Sequence, residues 1–403
     1  MILGQVSWLD CFVFLVFLAP QLIIHVGFFP TLFCGLKALP FLVLRLPLTF
    51  IYERLLLSRE HRSPFVQQAS WFEDIVIRCV RYAFAYIPAS IGRVFFSKWV
   101  ALPFLRFRML RHGYFRSPIH WHEVNKKDFK GVWLIKDEYN DPDIVIYYAH
   151  GGGFSMGSSY FYLEFLLALL SLLSLNFNNP AILSLEYSLV PDASHPTQLH
   201  QAIAGYRYLQ SIVLSSRIVV SGDSAGASII LSLLLYLGNN KVNPRLAEVN
   251  GVVREEPGMA VLISPWVTLI SPKDKNTASD YLNADNLHQY AKQYAGNKIS
   301  VNDPLISPGK CKDVASWRKA PPEYGFFIAY GAEEVFAPEV RGLISLLEQA
   351  SVRVDYVEEK GGIHAWPVAS LFLCSTREER TKGLREIVKQ ISERMRSGSP
   401  ENR

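Results

Sequence analysis

The N-terminal part of the chain is far more apolar than the rest. Residues 11–36 contain no Asp, Glu, Lys or Arg, and as an α-helix they would be roughly 39 Å long, against about 30 Å for a hydrocarbon core. A cleaved signal peptide has a basic start and a shorter apolar core, whereas residues 1–10 carry only the acidic Asp10. We therefore predict one retained membrane-spanning helix, kinked at Pro20 and Pro30.

The segment that follows suits a membrane surface. Residues 38–57 stay mostly apolar, with basic side chains in or beside them, which is typical of a helix lying in the interface. A second span or a re-entrant loop is the alternative for this segment, and a buried core helix is the alternative for residues 11–36. Because the basic residues follow the first apolar run and none precedes it, the positive-inside rule places the large domain in the cytosol for a single span.

From about residue 131 the pattern changes to short apolar runs that alternate with longer helical ones. The short runs predict strands at 144–148, 181–187, 217–221, 260–264, 324–330 and 352–357. The longer runs predict helices at 160–175, 195–214, 225–237, 338–350 and 376–396. Near-continuous apolar strands are typical of parallel sheets covered by helices on both faces. We predict an α/β protein whose ligand site lies at the carboxyl ends of the strands.

The same patterns divide the chain. Residues 271–320 are polar and fit no strand-helix unit, so we expect an insertion that covers the site. The predicted regions are a membrane anchor and interfacial segment at 1–57, a helical cap region at 58–130, a catalytic domain at 131–396 and a tail at 397–403.

Composition and charge exclude several classes of protein. Half of the 403 residues are hydrophobic and the net charge is +5, with the charges spread along the chain. Neither a disordered chain nor a protein that binds nucleic acid is indicated. The five cysteines are odd in number and far apart in the sequence, which favours neither a disulfide framework nor a cysteine metal site.

A candidate nucleophile follows the predicted strand at 217–221. The chain there forms a G-x-S-x-G sequence from Gly222, Asp223, Ser224, Ala225 and Gly226. A strand-turn-helix context exposes such a serine hydroxyl at the edge of a sheet, and glycines on both sides allow the sharp turn. Taken alone, this pattern also fits an ordinary helix start with glycines on either side.

A glycine-rich loop follows the predicted strand at 144–148. Its residues are His150, Gly151, Gly152 and Gly153. A phosphate-binding loop would continue with Lys and Ser or Thr, but residues 154–157 carry no cation. An oxyanion hole needs only backbone dipoles aimed at a developing negative charge. We therefore predict that the amides of Gly152, Gly153 and Ala225 bind an oxyanion.

A serine nucleophile needs a base, and the base needs an acid that orients it. The predicted strand at 324–330 is followed by Glu333 and Glu334, and His364 lies in a glycine-rich loop after the last predicted strand. We predict a triad of Ser224, Glu334 and His364, with Glu333 as the alternative acid. Such a triad requires no metal and no organic cofactor.

Together these motifs resemble those of the hormone-sensitive-lipase-like branch of the α/β-hydrolase superfamily. Residues 187–192, 264–266 and 303–308 resemble further landmarks of that branch. The resemblance covers about 131–396 and implies the α/β-hydrolase fold with a catalytic serine. The acid of the branch is usually Asp, whereas this chain has Glu334, a residue that serves the role in some α/β-hydrolases.

Within the branch, the chain resembles the arylacetamide deacetylases and the fungal steryl acetyl hydrolases, which are membrane-anchored and act on hydrophobic molecules at the endoplasmic reticulum. The resemblance implies a single-pass protein of that membrane, and because the anchored relatives are lumenal, it leaves open the side on which the catalytic domain lies. We expect a serine carboxylic ester hydrolase that removes a short acyl group, such as acetyl, from a lipophilic substrate such as a sterol or a terpenoid. The expected partners are that ester and membrane lipid, without nucleic acid. An amidase or arylformamidase, an acyltransferase and a non-catalytic ligand receptor are the alternatives.

Overall fold

The computed structural model describes residues 1–239 and 256–397. Apart from its first residue, the predicted tail at 397–403 lies outside these ranges. Within them the helices are α1 (Trp8–His25), α2 (Phe28–Leu56), α3 (Pro64–Gln68), α4 (Trp71–Tyr86), α5 (Ala89–Phe95), α6 (Lys98–Arg111), α7 (Leu163–Leu173), α8 (Thr197–Gln210), α9 (Ser224–Asn239), α10 (Ala284–Ala295), α11 (Val314–Lys319), α12 (Ala337–Gln349), α13 (Trp366–Leu373) and α14 (Arg377–Ser397). The strands are β1 (His120–Asn125), β2 (Lys130–Ile135), β3 (Ile144–Ala149), β4 (Pro180–Leu185), β5 (Ile218–Asp223), β6 (Met259–Ile263), β7 (Phe326–Gly331) and β8 (Val354–Glu359).

These strands form one sheet in the order β1-β2-β4-β3-β5-β6-β7-β8. The pairs from β4 to β8 along this order are parallel, which confirms the predicted α/β class and mostly parallel sheet. Successive side chains of a strand point to opposite faces. In β3, Val145 and Tyr147 accordingly pack into the hydrophobic core on one face, while Ile146 and Tyr148 pack into the core on the other.

The sheet begins earlier in the chain than expected. We placed the start of the catalytic domain at residue 131, but β1 and β2 pair antiparallel from His120 onwards and extend the sheet. The sequence of β1 is polar, His-Trp-His-Glu-Val-Asn, and only Val124 is fully buried. An edge strand with one buried residue lacks the apolar run that identified the central strands.

The apolar N-terminus also differs from its prediction. We expected one helix over 11–36, but the chain turns at Gly27, whose φ of +99° favours glycine. The helix after this turn, α2, continues to Leu56 through two π-helical turns. By length and composition alone, α1 and α2 are each apolar enough to cross a membrane.

Candidate active site

The candidate nucleophile lies at the turn between β5 and α9. Ser224 has a φ of +51°, a backbone conformation that costs free energy for any residue other than glycine. A Cβ atom on Gly226 would lie 2.0 Å from the carbonyl oxygen of Ala149, and one on Gly222 would lie 2.7 Å from the same atom. The two glycines of the motif are thus required because the end of β3 passes directly against the turn.

The predicted oxyanion loop leaves β3 beside this turn. Gly152 and Gly153 have φ values of +118° and +61°, and a Cβ atom on Gly152 would lie 2.1 Å from the carbonyl oxygen of Met156. Among the described residues, neither glycine amide donates a hydrogen bond to the protein. Ala225 is in the first turn of α9, where helical amides lack intrahelical acceptors. The backbone amides of all three predicted donors are therefore available to donate hydrogen bonds to an anion.

The first residue of the loop motif has a structural setting. The ring of His150 stacks on Tyr187 at a centroid distance of 4.3 Å, and the Tyr187 hydroxyl donates to the His150 carbonyl oxygen at 2.9 Å. Burial lowers the pKa of His150 to about 4, so the imidazole is neutral near pH 7. We interpret His150 as a residue that holds the loop and not as a base.

Asp223 connects the loop to the nucleophile turn. Its carboxylate accepts hydrogen bonds from the Gly151 amide at 2.8 Å, the Tyr148 hydroxyl at 2.8 Å and the Tyr162 hydroxyl at 2.6 Å. Burial raises the pKa of Asp223, while these three donors act in the opposite direction. The sequence motif identified Asp223 and Gly151, but nothing in the sequence marked the two tyrosines as their partners.

The predicted base and acid come together at the carboxyl ends of β7 and β8. Oε2 of Glu334 lies 3.6 Å from Nδ1 of His364, and both side chains are buried. This distance exceeds a normal hydrogen bond, although such bonds are often long in unliganded sites. Burial lowers the pKa of His364, but the neighbouring Glu334 raises it, and the net shift is upward. Burial raises the pKa of Glu334.

The two adjacent glutamates have different surroundings. The backbone amide of Glu333 donates to the Gly362 carbonyl oxygen at 3.0 Å, and its carbonyl oxygen accepts from the Thr277 hydroxyl at 2.8 Å. Its side chain is partly exposed, whereas that of Glu334 is buried. In the part of the chain that the structure describes, Glu334 is the one whose carboxylate reaches His364.

Two further side chains, which the sequence did not identify as site residues, hold the base loop. Asp280 accepts a hydrogen bond from the His364 amide at 3.0 Å through one carboxylate oxygen, and one from the Val335 amide at 2.9 Å through the other. The hydroxyl of Ser264 accepts from the Ala365 amide at 2.9 Å. Asp280 therefore connects the loop of the base to the loop of the acid. Its position in a polar insertion, 84 residues from His364, gives no signal in the sequence.

The predicted insertion lies over the site. The ring of Tyr281 is 5.8 Å from that of His364, and a Cβ atom on Gly153 would lie 3.0 Å from Tyr290 of α10. Helix α4 holds this cover, because Arg81 donates to the carbonyl oxygens of residues 278, 279 and 280 at 2.8 Å. Aromatic side chains thus surround the base and the oxyanion loop.

Similar proteins match more than half of the chain. The protein named "Putative steryl acetyl hydrolase mug81" of Schizosaccharomyces pombe is 30% identical over 258 residues, which are 60% of this chain and 65% of that protein. "Steryl acetyl hydrolase 1" of Saccharomyces cerevisiae is 23% identical over 252 residues, 58% of this chain and 55% of that protein. This chain therefore spans less than two thirds of the length of either yeast relative.

Solved structures share the fold. A hormone-sensitive lipase from a metagenome library has a TM-score of 0.56 at 24% identity and covers 68% of this chain and 86% of its own. An esterase of the bacterial hormone-sensitive lipase family has a TM-score of 0.61 at 20% identity and covers 81% of this chain and 99% of its own. A family described by the α/β-hydrolase fold matches residues 146–368, more than half of the sequence. The chain therefore belongs to the α/β-hydrolase family.

Proposed function

We propose that this protein is a serine carboxylic ester hydrolase that removes a short acyl group, such as acetyl, from a lipophilic alcohol. The observations that support the proposal are that Ser224 lies on a strained turn at the carboxyl end of β5, beside a loop with free amides, and that the Glu334–His364 pair lies at the carboxyl ends of β7 and β8 in the same sheet. The names of the relatives, which include steryl acetyl hydrolase and acetyl esterase, support the reaction. The site residues are Ser224, Glu334 and His364.

In the first half of the proposed reaction, Ser224 becomes acylated. His364 accepts the hydroxyl proton while the Ser224 oxygen bonds to the carbonyl carbon, and the electron pair of the carbonyl moves to its oxygen. The amides of Gly152, Gly153 and Ala225 stabilise that oxyanion, and each such donor contributes on the order of 3 kcal/mol in the transition state. The bond to the alcohol oxygen then breaks as His364 donates its proton to that oxygen.

In the second half, water replaces the alcohol. His364 accepts a proton from water as the water oxygen bonds to the acyl carbon, and the collapse of the second oxyanion releases the carboxylic acid and restores the Ser224 hydroxyl. Glu334 stabilises the imidazolium that forms in each half. All of these steps use side chains and amides of the chain itself.

The surroundings of the site favour a lipophilic substrate. Tyr281 and Phe336 flank His364 at ring distances of 5.8 and 5.1 Å, and Tyr290 lies against the oxyanion loop. Aromatic walls bind apolar ring systems and leave the few polar groups for orientation. We propose a sterol, a terpenoid or a comparable secondary metabolite as the alcohol, and acetate as the acid.

We further propose that the region 1–57 attaches the enzyme to membrane lipid at the endoplasmic reticulum, the location implied by its resemblance to anchored deacetylases. The two apolar helices α1 and α2 support attachment by their length and composition. A lipophilic ester dissolved in that membrane would be close to the cover formed by α4 and the region 271–320. In this proposal the catalytic domain is the part of the chain that contains the β-sheet.

The test is hydrolysis of p-nitrophenyl esters from acetyl to dodecanoyl, and of a sterol acetate, by membranes that contain the chain. We expect activity on short acyl groups that Ser224→Ala abolishes. Ser232→Ala is a matched control, since Ser232 is a buried serine two turns further along α9 whose hydroxyl donates to the Ser228 carbonyl oxygen. Equal activity in wild type and Ser224→Ala would contradict the proposal. Matched anilides distinguish an amidase, and an added alcohol acceptor distinguishes an acyltransferase.

A further inference from the structure

The first residues of the chain are fixed to the catalytic domain. The Val6 amide donates to the Phe372 carbonyl oxygen at 2.9 Å, at the end of α13. Asp10, at the start of α1, pairs with Arg108 at 3.1 Å, and Arg108 pairs with Glu164 of α7 at 2.7 Å. These three charged side chains are buried. The N-terminus therefore lies on the same body as the sheet.

Helix α1 also packs on the helices α5 and α6 of the cap region. Its inner face consists of side chains four residues apart, from Phe14 and Leu18 to Leu22 and Val26, which pack into a cluster with α5 and α6. The Phe14 ring is 4.5 Å from that of Phe95 at the end of α5.

That neighbouring helix is part of the water-exposed body. Arg93 of α5 donates to the carbonyl oxygen of Ser155, just after the oxyanion loop, and pairs with the exposed Asp192 at 2.9 Å. Helix α1 consequently lies against a helix that contacts the active-site loop. A helix held in this way is not surrounded by hydrocarbon, as a crossing helix must be over about 30 Å.

Helix α2 returns along α4 in the antiparallel direction. The Tyr82 hydroxyl donates to the Lys37 carbonyl oxygen at 3.1 Å, and Arg54, further along α2, pairs with Asp74 at 2.7 Å. Only the residues 28–36 precede the first of these contacts. At about 1.5 Å per residue they are roughly 13 Å long, which is less than half of a hydrocarbon core of about 30 Å.

The outward faces of both helices are apolar and exposed. Representative side chains, each more than half exposed, are Phe12, Leu15 and Ile24 of α1 and Phe29, Leu48 and Leu55 of α2. Exposed basic residues, Lys37, Arg45 and Arg59, lie among or just after them, and exposed Trp71 and Tyr86 mark the two ends of α4. Apolar faces with basic and aromatic residues at their borders are typical of helices that bind a lipid surface.

We propose that α1 and α2 insert into one leaflet of a phospholipid bilayer without crossing it, so that the N-terminus and the catalytic domain lie on the same side of the membrane. This topology replaces the single crossing expected from the sequence. It rests on the membrane attachment proposed above and is independent of the reaction. A single crossing would separate Asp10 from Arg108 or remove Phe14 from α5, and it would leave buried charges without partners.

The test maps topology in sealed microsomes. The chain carries an epitope before Met1 and, after its five native cysteines are replaced by serine, one reporter cysteine at a time. The first reporter is Tyr139→Cys, at a catalytic-domain position that is 87% exposed. The second is Phe29→Cys, at a position beside the turn between α1 and α2 that is 79% exposed. An antibody reports the epitope and a membrane-impermeant maleimide reports each cysteine, before and after permeabilisation.

We expect the epitope and Tyr139→Cys to be reached from the same side and Phe29→Cys to be labelled only after detergent dissolves the bilayer. Opposite sides for the epitope and Tyr139→Cys would demonstrate a single crossing and overturn the proposal. Labelling of Phe29→Cys from the side opposite Tyr139→Cys would demonstrate two crossings and overturn it as well. A protease site inserted at Tyr139 in the chain with native cysteines provides the same comparison if the cysteine-free variant misfolds.

Flotation of the same microsomes separates this inference from the proposed reaction. A chain that does not float with the lipid overturns the attachment and therefore the topology, whereas ester hydrolysis measured in the same fractions would still stand. Loss of hydrolysis in a chain that floats with the expected labelling would contradict the reaction alone.

Discussion

The nucleophile side and the base side of the site are built in different ways. On the nucleophile side, the glycines of the turn at Ser224 allow the backbone to approach the end of β3 closely, and Gly152 allows the oxyanion loop to fold back against the backbone of Met156. On the base side, the loops of His364 and Glu334 are held by Asp280, a carboxylate from a distant insertion. The nucleophile side depends on backbone shape, whereas the base side depends on hydrogen bonds between segments that are far apart in sequence.

The largest effect is expected where the backbone has no room. In Gly226→Ala the new Cβ atom would lie 2.0 Å from the Ala149 carbonyl oxygen, so the turn cannot keep its shape and ester hydrolysis should fall by on the order of 10⁴-fold or more, with lower stability. Gly342→Ala is the control, because a Cβ atom there meets nothing within 4 Å. Initial rates and thermal unfolding of both variants check this. Full activity in Gly226→Ala would contradict the inference that close backbone packing shapes the nucleophile side.

The next effect distinguishes the two glutamates. Glu334→Gln should reduce kcat by on the order of 10³ to 10⁴-fold, since it removes the charge that orients His364 and stabilises its protonated form. Glu333→Gln should change kcat less than about twofold, because its partly exposed side chain is not the one that reaches His364. Steady-state kinetics of the pair provide the measurement. A reversal of the two effects would assign the acid to Glu333.

A smaller effect is expected from the residue that supports the base loop. Asp280→Ala removes both acceptors for the His364 and Val335 amides, and the resulting displacement of the base should lower kcat by roughly 10 to 100-fold with little change in KM. Asp280→Asn keeps one acceptor and should recover part of the loss. Asp285→Asn, an exposed carboxylate of the same insertion, serves as the control. Equal kcat in Asp280→Ala and wild type would show that the insertion does not hold the base.

The smallest effect is a shift in pH dependence. Only neutral His364 accepts a proton, and its pKa is raised above the ordinary value of about 6.5. The kcat/KM should therefore fall as pH decreases through a value above about 6.5. Because the charge of Asp280 contributes to the raised pKa of His364, Asp280→Asn should shift this decrease in kcat/KM to lower pH. If kcat/KM decreases at the same pH in Asp280→Asn as in wild type, or decreases only below pH 6 in wild type, the proposed effect of these charges on the pKa of His364 would be contradicted.

Much of the fold could be predicted because its determinants are local. The central strands from β3 to β8 and the helices α7, α8, α9, α12 and α14 followed from apolar runs and their lengths, and the structure agrees to within a few residues at their ends, whereas α10, α11 and α13 were not predicted. Some errors occurred where the local pattern is weak: polar β1 was missed as an edge strand, and the turn at Gly27 was missed because one glycine inside an apolar run does not disclose its φ angle. Strand β2 was missed as well, although five of its six residues are buried.

The sequence by itself predicted the backbone geometry of the nucleophile side, since a motif such as Gly222 to Gly226 carries its own turn. It also identified His364 and left two neighbouring glutamates as candidates for the acid. Only the tertiary structure decided that Glu334 faces the histidine, that Asp280 joins the two loops and that the apolar N-terminus lies along α4, α5 and α6. The physical reason is that these contacts join segments tens to hundreds of residues apart, and a linear sequence records neither their distances nor the direction in which an apolar helix packs.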